Sequence, residues 1–342
     1  MSLNRSTVDN VVYDAEDQVS PMVYVAAAIA LGFIGFFGFT MNLLVAIVIV
    51  KDAQILWTPV NVILVNLVVR HQIIILETIL VGDFLVAAFG NPVAMVSAIT
   101  GGWYWGYKMC LCYAWFMSTL GFASIGNLTV MAVERWLLVA RPMKALSIRY
   151  AITLGIFVWI YALCLSLPPL FGWGSYGPEA GNVSCSVSWE VHDPLTKSDS
   201  YIGFIFVFGL IIPVLVISSS YVAIIVTLRK VRKRAGASGR REAKITKMVA
   251  LMITAFLLAW SPYAALAIAA QYFDAKPSAS VAVLPALLAK SSICYNPIIY
   301  AGLNSQFPRS LKKIFDVRIA RSTLPDSQNT ALTLLNRQEQ RN

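Results

Sequence analysis

Charge is what this sequence has little of: Asp, Glu, Lys and Arg make up 13% of its 342 residues. Soluble domains carry about 25%. A chain that is 58% hydrophobic, with a mean hydropathy of +0.69, has more apolar surface than a soluble core can hide. That points to a polytopic membrane protein. Cysteine is scarce as well, and five residues are too few for a disulfide-built scaffold. Residues 1–20 hold no long apolar run and carry Asp9, Asp14, Glu16 and Asp17, so no cleavable signal peptide is expected. The net charge of +10 does not indicate nucleic acid, because the basic residues flank apolar spans instead of alternating with aromatics.

Apolar runs of spanning length lie near residues 22–50, 60–96, 107–139, 150–171, 200–228, 246–271 and 280–302. A helix needs about 20 residues to cross a bilayer. The expected fold is therefore all-α, a seven-transmembrane helix bundle, with its two termini on opposite sides of the lipid bilayer. One set of loops and ends holds Arg5, Lys108, Lys197 and Lys276. The other holds 21 basic residues, nine of them between Arg229 and Lys247. The positive-inside rule then places the N-terminus outside the cell membrane and the C-terminus in the cytoplasm. The domain plan is an outer tail over 1–21, the bundle over 22–302 and an inner segment over 303–342.

Two features fit the outside assignment. Asn4-Arg5-Ser6 and Asn182-Val183-Ser184 are glycosylation acceptors on that side. Cys110 at the outer end of span 3 and Cys185 in the second outer loop could pair in an oxidising space. Cys112, Cys164 and Cys294 lie in spans and read as small core residues. After span 7, Phe307, Leu311, Ile314 and Phe315 repeat at helical spacing. They predict a short amphipathic helix 8 on the inner membrane surface, over Gln306–Asp316. The tail from Arg318 reads as polar and without a fold of its own.

Lys290 stands in the middle of span 7, in LPALLAKSSICYNPIIY. Lysines near span ends snorkel to water, but this one has about ten apolar or small residues on either side. A desolvated lysine loses its proton more easily and becomes a nucleophile for carbonyl groups. The residue types therefore point to a Schiff base with an aldehyde, with a structural lysine as the alternative.

At this point the chain resembles a known family. Asn42, Asp83, Glu134-Arg135-Trp136, Trp159, Pro213, Tyr221, Trp260-Ser261-Pro262-Tyr263 and Asn296-Pro297-Ile298-Ile299-Tyr300 stand at the spacings of opsins, the retinal-binding receptors of the rhodopsin-like class. Lys290 occupies the retinal-lysine position, six residues before Asn296. Asn304-Ser305-Gln306 resembles the ciliary-opsin pattern, nearest the encephalopsin or pteropsin group. The resemblance implies a light-sensing G-protein-coupled receptor, not an enzyme, with 11-cis or a related retinal as cofactor and no metal. Its implied partners are a heterotrimeric G protein of the Gi/Go type, arrestin and a receptor kinase. The alternative within the family is a retinal photoisomerase with little signalling.

The resemblance also assigns roles. The visual counterion position on span 3 is Tyr113 here; Glu179, six residues before Cys185, matches the second-loop glutamate that many non-visual opsins use, which implies Glu179 as counterion, acting through water. This arrangement implies a bistable pigment. Trp260 matches the tryptophan against the retinal ring, and Pro262 gives span 6 a pivot. Tyr113, Ala114, Trp115, Met117, Gly121, Tyr263 and Ala264 are further pocket candidates, each equally readable as helix packing. At the inner end, Arg135 and Glu242 would form a latch between spans 3 and 6. Glu134, Tyr221, Asn296, Pro297, Tyr300 and Asp83 complete the switch. The basic third inner loop could bind acidic lipid or the G protein, or merely set topology.

One stretch departs from the family. The run from Val60 to Met95 would be about 54 Å long as helix at ~1.5 Å per residue, far more than a bilayer core. From Thr58-Pro59 to Asp83 the spacing is about 12 residues longer than the family's, while the spacing from Asp83 to Cys110 is normal. The excess lies within 70–82, RHQIIILETILVG. It reads as retained intron or another gene-model artefact, as a real isoform with altered inner packing, or as a charge site built on Arg70 and Glu77. In each case the span is expected from about Ile73 to Met95, with Arg70, His71 and Gln72 at the inner surface.

Overall fold

The computed structural model of the chain describes residues 19–55, 79–140, 148–179, 181–231, 237–275, 278–303, 307 and 311–312. Six helical stretches in it are long and apolar enough to cross a membrane, and a seventh, Ile152–Ser166, is apolar but shorter. We label the helices α1 (Pro21–Ile55), α2 (Ile79–Ile99), α3 (Gly106–Ala140), α4 (Ile148–Ser166) and α6 (Ala237–Phe273). Helix α5 joins Ser198–Phe206, a wide π turn at Val207–Ile211, and Ile212–Val231. Helix α7 joins Ala279–Ser291, a tight turn at Ser292–Cys294, and Tyr295–Leu303.

Proline explains most irregularities. A second π turn, Val86–Gly90, interrupts α2. Both π turns end just before a proline, Pro92 or Pro213. A proline ring clashes with the carbonyl four residues back and removes a backbone donor, and a widened turn relieves both. The fourth span was expected to run to 171. It stops at Ser166, and Pro168–Phe171 form a tight turn that Gly172 closes with φ 88°. Pro262 and Pro285 lie inside α6 and α7.

The bundle packs through small residues. Helix α3 runs along both α4 and α5, and α1 lies against α2 and α7. A Cβ on Gly38 would come within 2.7 Å of the Ile293 side-chain tip, so a larger residue there would require that side chain to shift. On the outer face, Phe33, Phe36 and Phe37 of α1 are exposed, as lipid-facing side chains are. Two buried polar contacts tie helices together: Asn42 Nδ2 donates to the Ile293 carbonyl at 3.0 Å, and Thr119 and Ser166 share a hydrogen bond of 2.8 Å.

Helix α2 bears on the unusual stretch. Residues 79–82 are helical and continuous with Asp83, and Ile79 and Leu80 are only 1% and 3% exposed among Val45, Leu128 and Met131. The last turn of the 70–82 stretch is thus core helix. Ile79–Ile99 spans 21 residues, about 31 Å, enough for the hydrocarbon core. Arg70, His71, Gln72 and Glu77 lie outside the described residues, as does the expected start at Ile73. Of helix 8, Phe307, Leu311 and Lys312 are described. Phe307 is buried, with its ring 5.8 Å from that of Tyr300.

The free cysteines correct an expectation. Cys112 and Cys164 are exposed on the outside of the bundle, and Cys294 is half-buried. In a membrane protein an apolar position can face lipid as readily as core, so apolar surroundings in sequence do not tell the two apart.

Candidate functional site

A hairpin places an acid over the bundle. Strand β1 (Tyr176–Pro178) pairs antiparallel with β2 (Cys185–Val187), Pro178 opposite Cys185. The connecting turn passes through Gly181 at φ 88° and Asn182 at φ 52°, left-handed conformations that favour glycine and asparagine. The Glu179 amide donates to the Ser184 carbonyl at 2.8 Å, so Glu179 and Ser184 face each other across the turn. Two anchors hold the hairpin down. Cys185 is disulfide-bonded to Cys110 of α3, with 5.5 Å between Cα atoms. The Tyr176 hydroxyl donates to the Ser166 carbonyl at the end of α4, at 2.7 Å.

Lys290 comes to this hairpin from α7. Its Nζ lies 3.6 Å from Glu179 Oε2, and each side chain is 12% exposed. The Ser184 hydroxyl links them, accepting from Lys290 Nζ at 3.1 Å and donating to Glu179 Oε2. In the structure a protein hydroxyl thus lies between the two groups. Glu179 Oε1 accepts from the Tyr263 hydroxyl of α6 at 2.9 Å. Burial alone would push the Glu179 carboxyl up. The Lys290 ammonium and the Ser184, Tyr263 and Ser186 hydroxyls outweigh that and hold it below its ordinary range. Both carboxylate oxygens are thus satisfied, as a buried charge requires.

Beneath the hairpin lies a cavity of about 530 Å³, lined largely by apolar groups and walled by α3, α5, α6 and α7. Lys290, Glu179, Met117, Gly121, Trp260, Tyr263 and Ala264 all line it. Trp260 Nε1 donates to Ser292 Oγ at 3.2 Å, and its ring stacks 5.6 Å from Phe256. Gly121 makes room for that indole: a Cβ there would sit 3.3 Å from the Trp260 ring. An amine at the wall of such a cavity, with a fixed carboxylate beside it, can hold an aldehyde ligand covalently and keep the nitrogen charged.

Three expected pocket residues fall elsewhere. Tyr113, Ala114 and Trp115 are not among the cavity's lining. The Tyr113 hydroxyl instead donates to the Gly90 carbonyl at 3.2 Å, with its ring 5.2 Å from Trp103. Ala114 is fully buried in the helix packing. On one helix, residues one or two apart point to different faces, and Met117 and Gly121 take the face toward the cavity. Conversely, Ser184, Ser186, Trp189 and Ser292 belong to the site without having been singled out. In the sequence Ser184 is only the third residue of a glycosylation acceptor. It is 2% exposed, whereas Asn182 is exposed.

At the opposite end of α3, Arg135 is 1% exposed and Glu134 3%. Tyr221 of α5 lies within electrostatic reach of Arg135. The side chain of Glu242 lies outside the described residues, as does Asn4. Between the two ends, Asn296 Nδ2 donates to Asp83 Oδ2 at 3.0 Å, tying α7 to α2, and Asp83 reaches the cavity floor. Pro297 follows, buried.

Known proteins resemble this chain in sequence and fold. The family described as "7 transmembrane receptor (rhodopsin family)" matches residues 41–300. The green-sensitive opsin of Gallus gallus is 35% identical over 280 residues, 79% of this chain and 74% of that protein. The rhodopsin of Lethenteron camtschaticum is 31% identical, over 92% of this chain and 86% of its own length. Among solved structures, squid rhodopsin superposes with a TM-score of 0.76 at 26% identity, over 92% of this chain and 91% of that one. On fold, motifs and sequence alike, the chain belongs to the opsins, within the rhodopsin family of seven-transmembrane receptors.

Proposed function

We propose that this opsin, a light-sensing G-protein-coupled receptor of the membrane, carries its chromophore on Lys290 with Glu179 as counterion. The single observation behind this is the Lys290–Ser184–Glu179 contact at the wall of the cavity. Retinal fits that cavity: its volume of about 530 Å³ falls in the ~300–1,000 Å³ range of ligand sites, it is largely apolar, and the amine stands at its wall. Bound to the Lys290 nitrogen as a protonated Schiff base, retinal supplies light absorption and a change of shape.

The protein's own groups do the rest. Glu179 balances the positive charge on the Lys290 nitrogen and keeps its proton in place. Ser184 and Tyr263 keep Glu179 ionised by donating to it. The hairpin excludes water from above, and the disulfide keeps the hairpin seated. Trp260 meets the chromophore from α6, two residues before the Pro262 pivot. A push on that indole is therefore delivered where α6 can bend.

Further assignments belong to the same reading. The disulfide end faces outside and the Arg135 end the cytoplasm, as the basic residues demand. Arg135 and Glu242 latch α3 to α6 in the dark, and Tyr221 and Tyr300 receive Arg135 when the latch opens. The opened groove takes a G-protein helix, of the Gi/Go type, with arrestin and a receptor kinase acting after it. Asn4 and Asn182 carry glycans, and the segment after Leu303 lies in the cytoplasm.

The test is reconstitution with 11-cis-retinal in membranes, followed by absorbance and nucleotide exchange on a Gi/Go protein in dark and light. A visible band with light-dependent exchange is expected. Absorbance without exchange would favour a photoisomerase instead.

A further inference from the structure

The Tyr263 hydroxyl sits at a junction. Glu179 Oε1 is 2.9 Å from it, Ser186 Oγ 3.1 Å, and Trp189 Nε1 3.1 Å. A phenol has one proton to give, so the direction of that proton decides whether Glu179 keeps its second donor. We propose that Trp189 is a positioning residue for the counterion, because its indole N–H orients the Tyr263 proton onto Glu179.

An indole nitrogen donates and never accepts. Facing Trp189, the Tyr263 oxygen must act as acceptor, and its own proton goes to another neighbour. Ser186 competes weakly, since its hydroxyl oxygen is a neutral acceptor, at 3.1 Å. Glu179 offers the shorter contact and a negative charge, which about doubles a hydrogen bond's strength. Donation into the phenol oxygen also polarises its O–H, so the chain from Trp189 through Tyr263 to Glu179 is cooperative.

The indole is held for this task. It lies in the cavity wall just after β2, its ring 5.6 Å from Phe206 of α5 and edge-on to Tyr263 at 6.1 Å. Among the described residues, the titratable groups that interact with Glu179 are Lys290 from α7, Tyr263 from α6 and Tyr113 from α3. Trp189 adds no charge to this set; it acts only through the orientation of a proton.

The inference rests on Glu179 being the counterion. The experiment is an acid titration of the visible band, in the dark, of pigment reconstituted from the full chain with 11-cis-retinal. Trp189→Phe keeps the ring and loses the N–H. Its acid-side midpoint should rise by about half a pH unit, the scale of one neutral hydrogen bond. In a Tyr263→Phe background the same change should add nothing, because the relay is already cut. Trp189→Tyr, whose hydroxyl can donate to the same oxygen, should titrate closer to the parent than Trp189→Phe does. An unmoved midpoint in Trp189→Phe, an equal shift with and without Tyr263, or Trp189→Tyr matching Trp189→Phe would each overturn the role. If Glu179→Gln leaves the band in place, the counterion reading falls and the Trp189 role with it. If Glu179→Gln moves the band while Trp189→Phe is inert, the Trp189 role falls alone.

Discussion

Lys290 Nζ and Glu179 Oε2 stand 3.6 Å apart with the Ser184 hydroxyl bridging them. One residue belongs to a membrane helix and the other to a hairpin 111 positions earlier in the chain. Their meeting depends on the Cys110–Cys185 disulfide and on Gly181, which lets the hairpin turn. Breaking a buried pair by removing one partner is costly, about 3–5 kcal/mol, because the other charge is left uncompensated.

That asymmetry predicts the behaviour of Glu179→Gln. The lysine nitrogen keeps its low-polarity surroundings and loses its carboxylate, so its proton affinity falls. The dark visible band of the reconstituted pigment should move toward the ultraviolet at neutral pH and return on acidification or with added halide. A visible band unchanged at pH 7 would remove Glu179 from the role.

The same carboxylate makes the retinal-free protein acid-sensitive. Its folded pKa lies below its ordinary value, so its stabilising contribution is present above the ordinary glutamate range near ~4.3. That contribution is lost as pH falls through the folded value. Melting temperatures of the parent and of Glu179→Gln should converge as pH is lowered through this window. Parallel curves would mean that Glu179 is not paired in the folded state.

Gly121 is a steric control on the cavity. A methyl there would stand 3.3 Å from the Trp260 ring, so Gly121→Ala requires the indole to give by a few tenths of an ångström. Gly121→Leu fills the cavity outright, at the ~1–3 kcal/mol usual for overpacking. Pigment yield should fall modestly for alanine and several-fold for leucine, with a shifted band in both. Equal yields would place the chromophore away from Trp260.

The disulfide closes a loop of 75 residues. By chain entropy it stabilises the fold by about 4 kcal/mol. Replacing Cys110 and Cys185 with alanine should lower the melting temperature. It should also reduce pigment formation disproportionately, because Glu179 and Ser184 ride on the hairpin that Cys185 anchors. A variant that melts lower yet binds retinal at full yield would separate the hairpin from the site.

Much of this was legible in the sequence, and the reasons differ by element. The apolar spans show in composition alone, because lipid demands long hydrophobic runs. Lys290 stood out because a cation in mid-span needs a reason. The lipid-facing Cys112 and Cys164 were misplaced because lipid and core are both apolar. The end of α4 at Ser166 was missed because Leu167–Phe171 continues the hydrophobic run while Pro168 and Pro169 break the helix. Ser184 and Trp189 gave no local signal. Their partners lie 106 and 74 residues away, Lys290 and Tyr263 respectively, and only the folded hairpin brings them together.

The most direct measurement of the central claim is absorbance after 11-cis-retinal is added to Lys290→Ala beside the parent, both verified as folded. The parent should develop a visible band and Lys290→Ala none. A Lys290→Ala protein that colours like the parent, or a folded parent that stays colourless, would contradict the account.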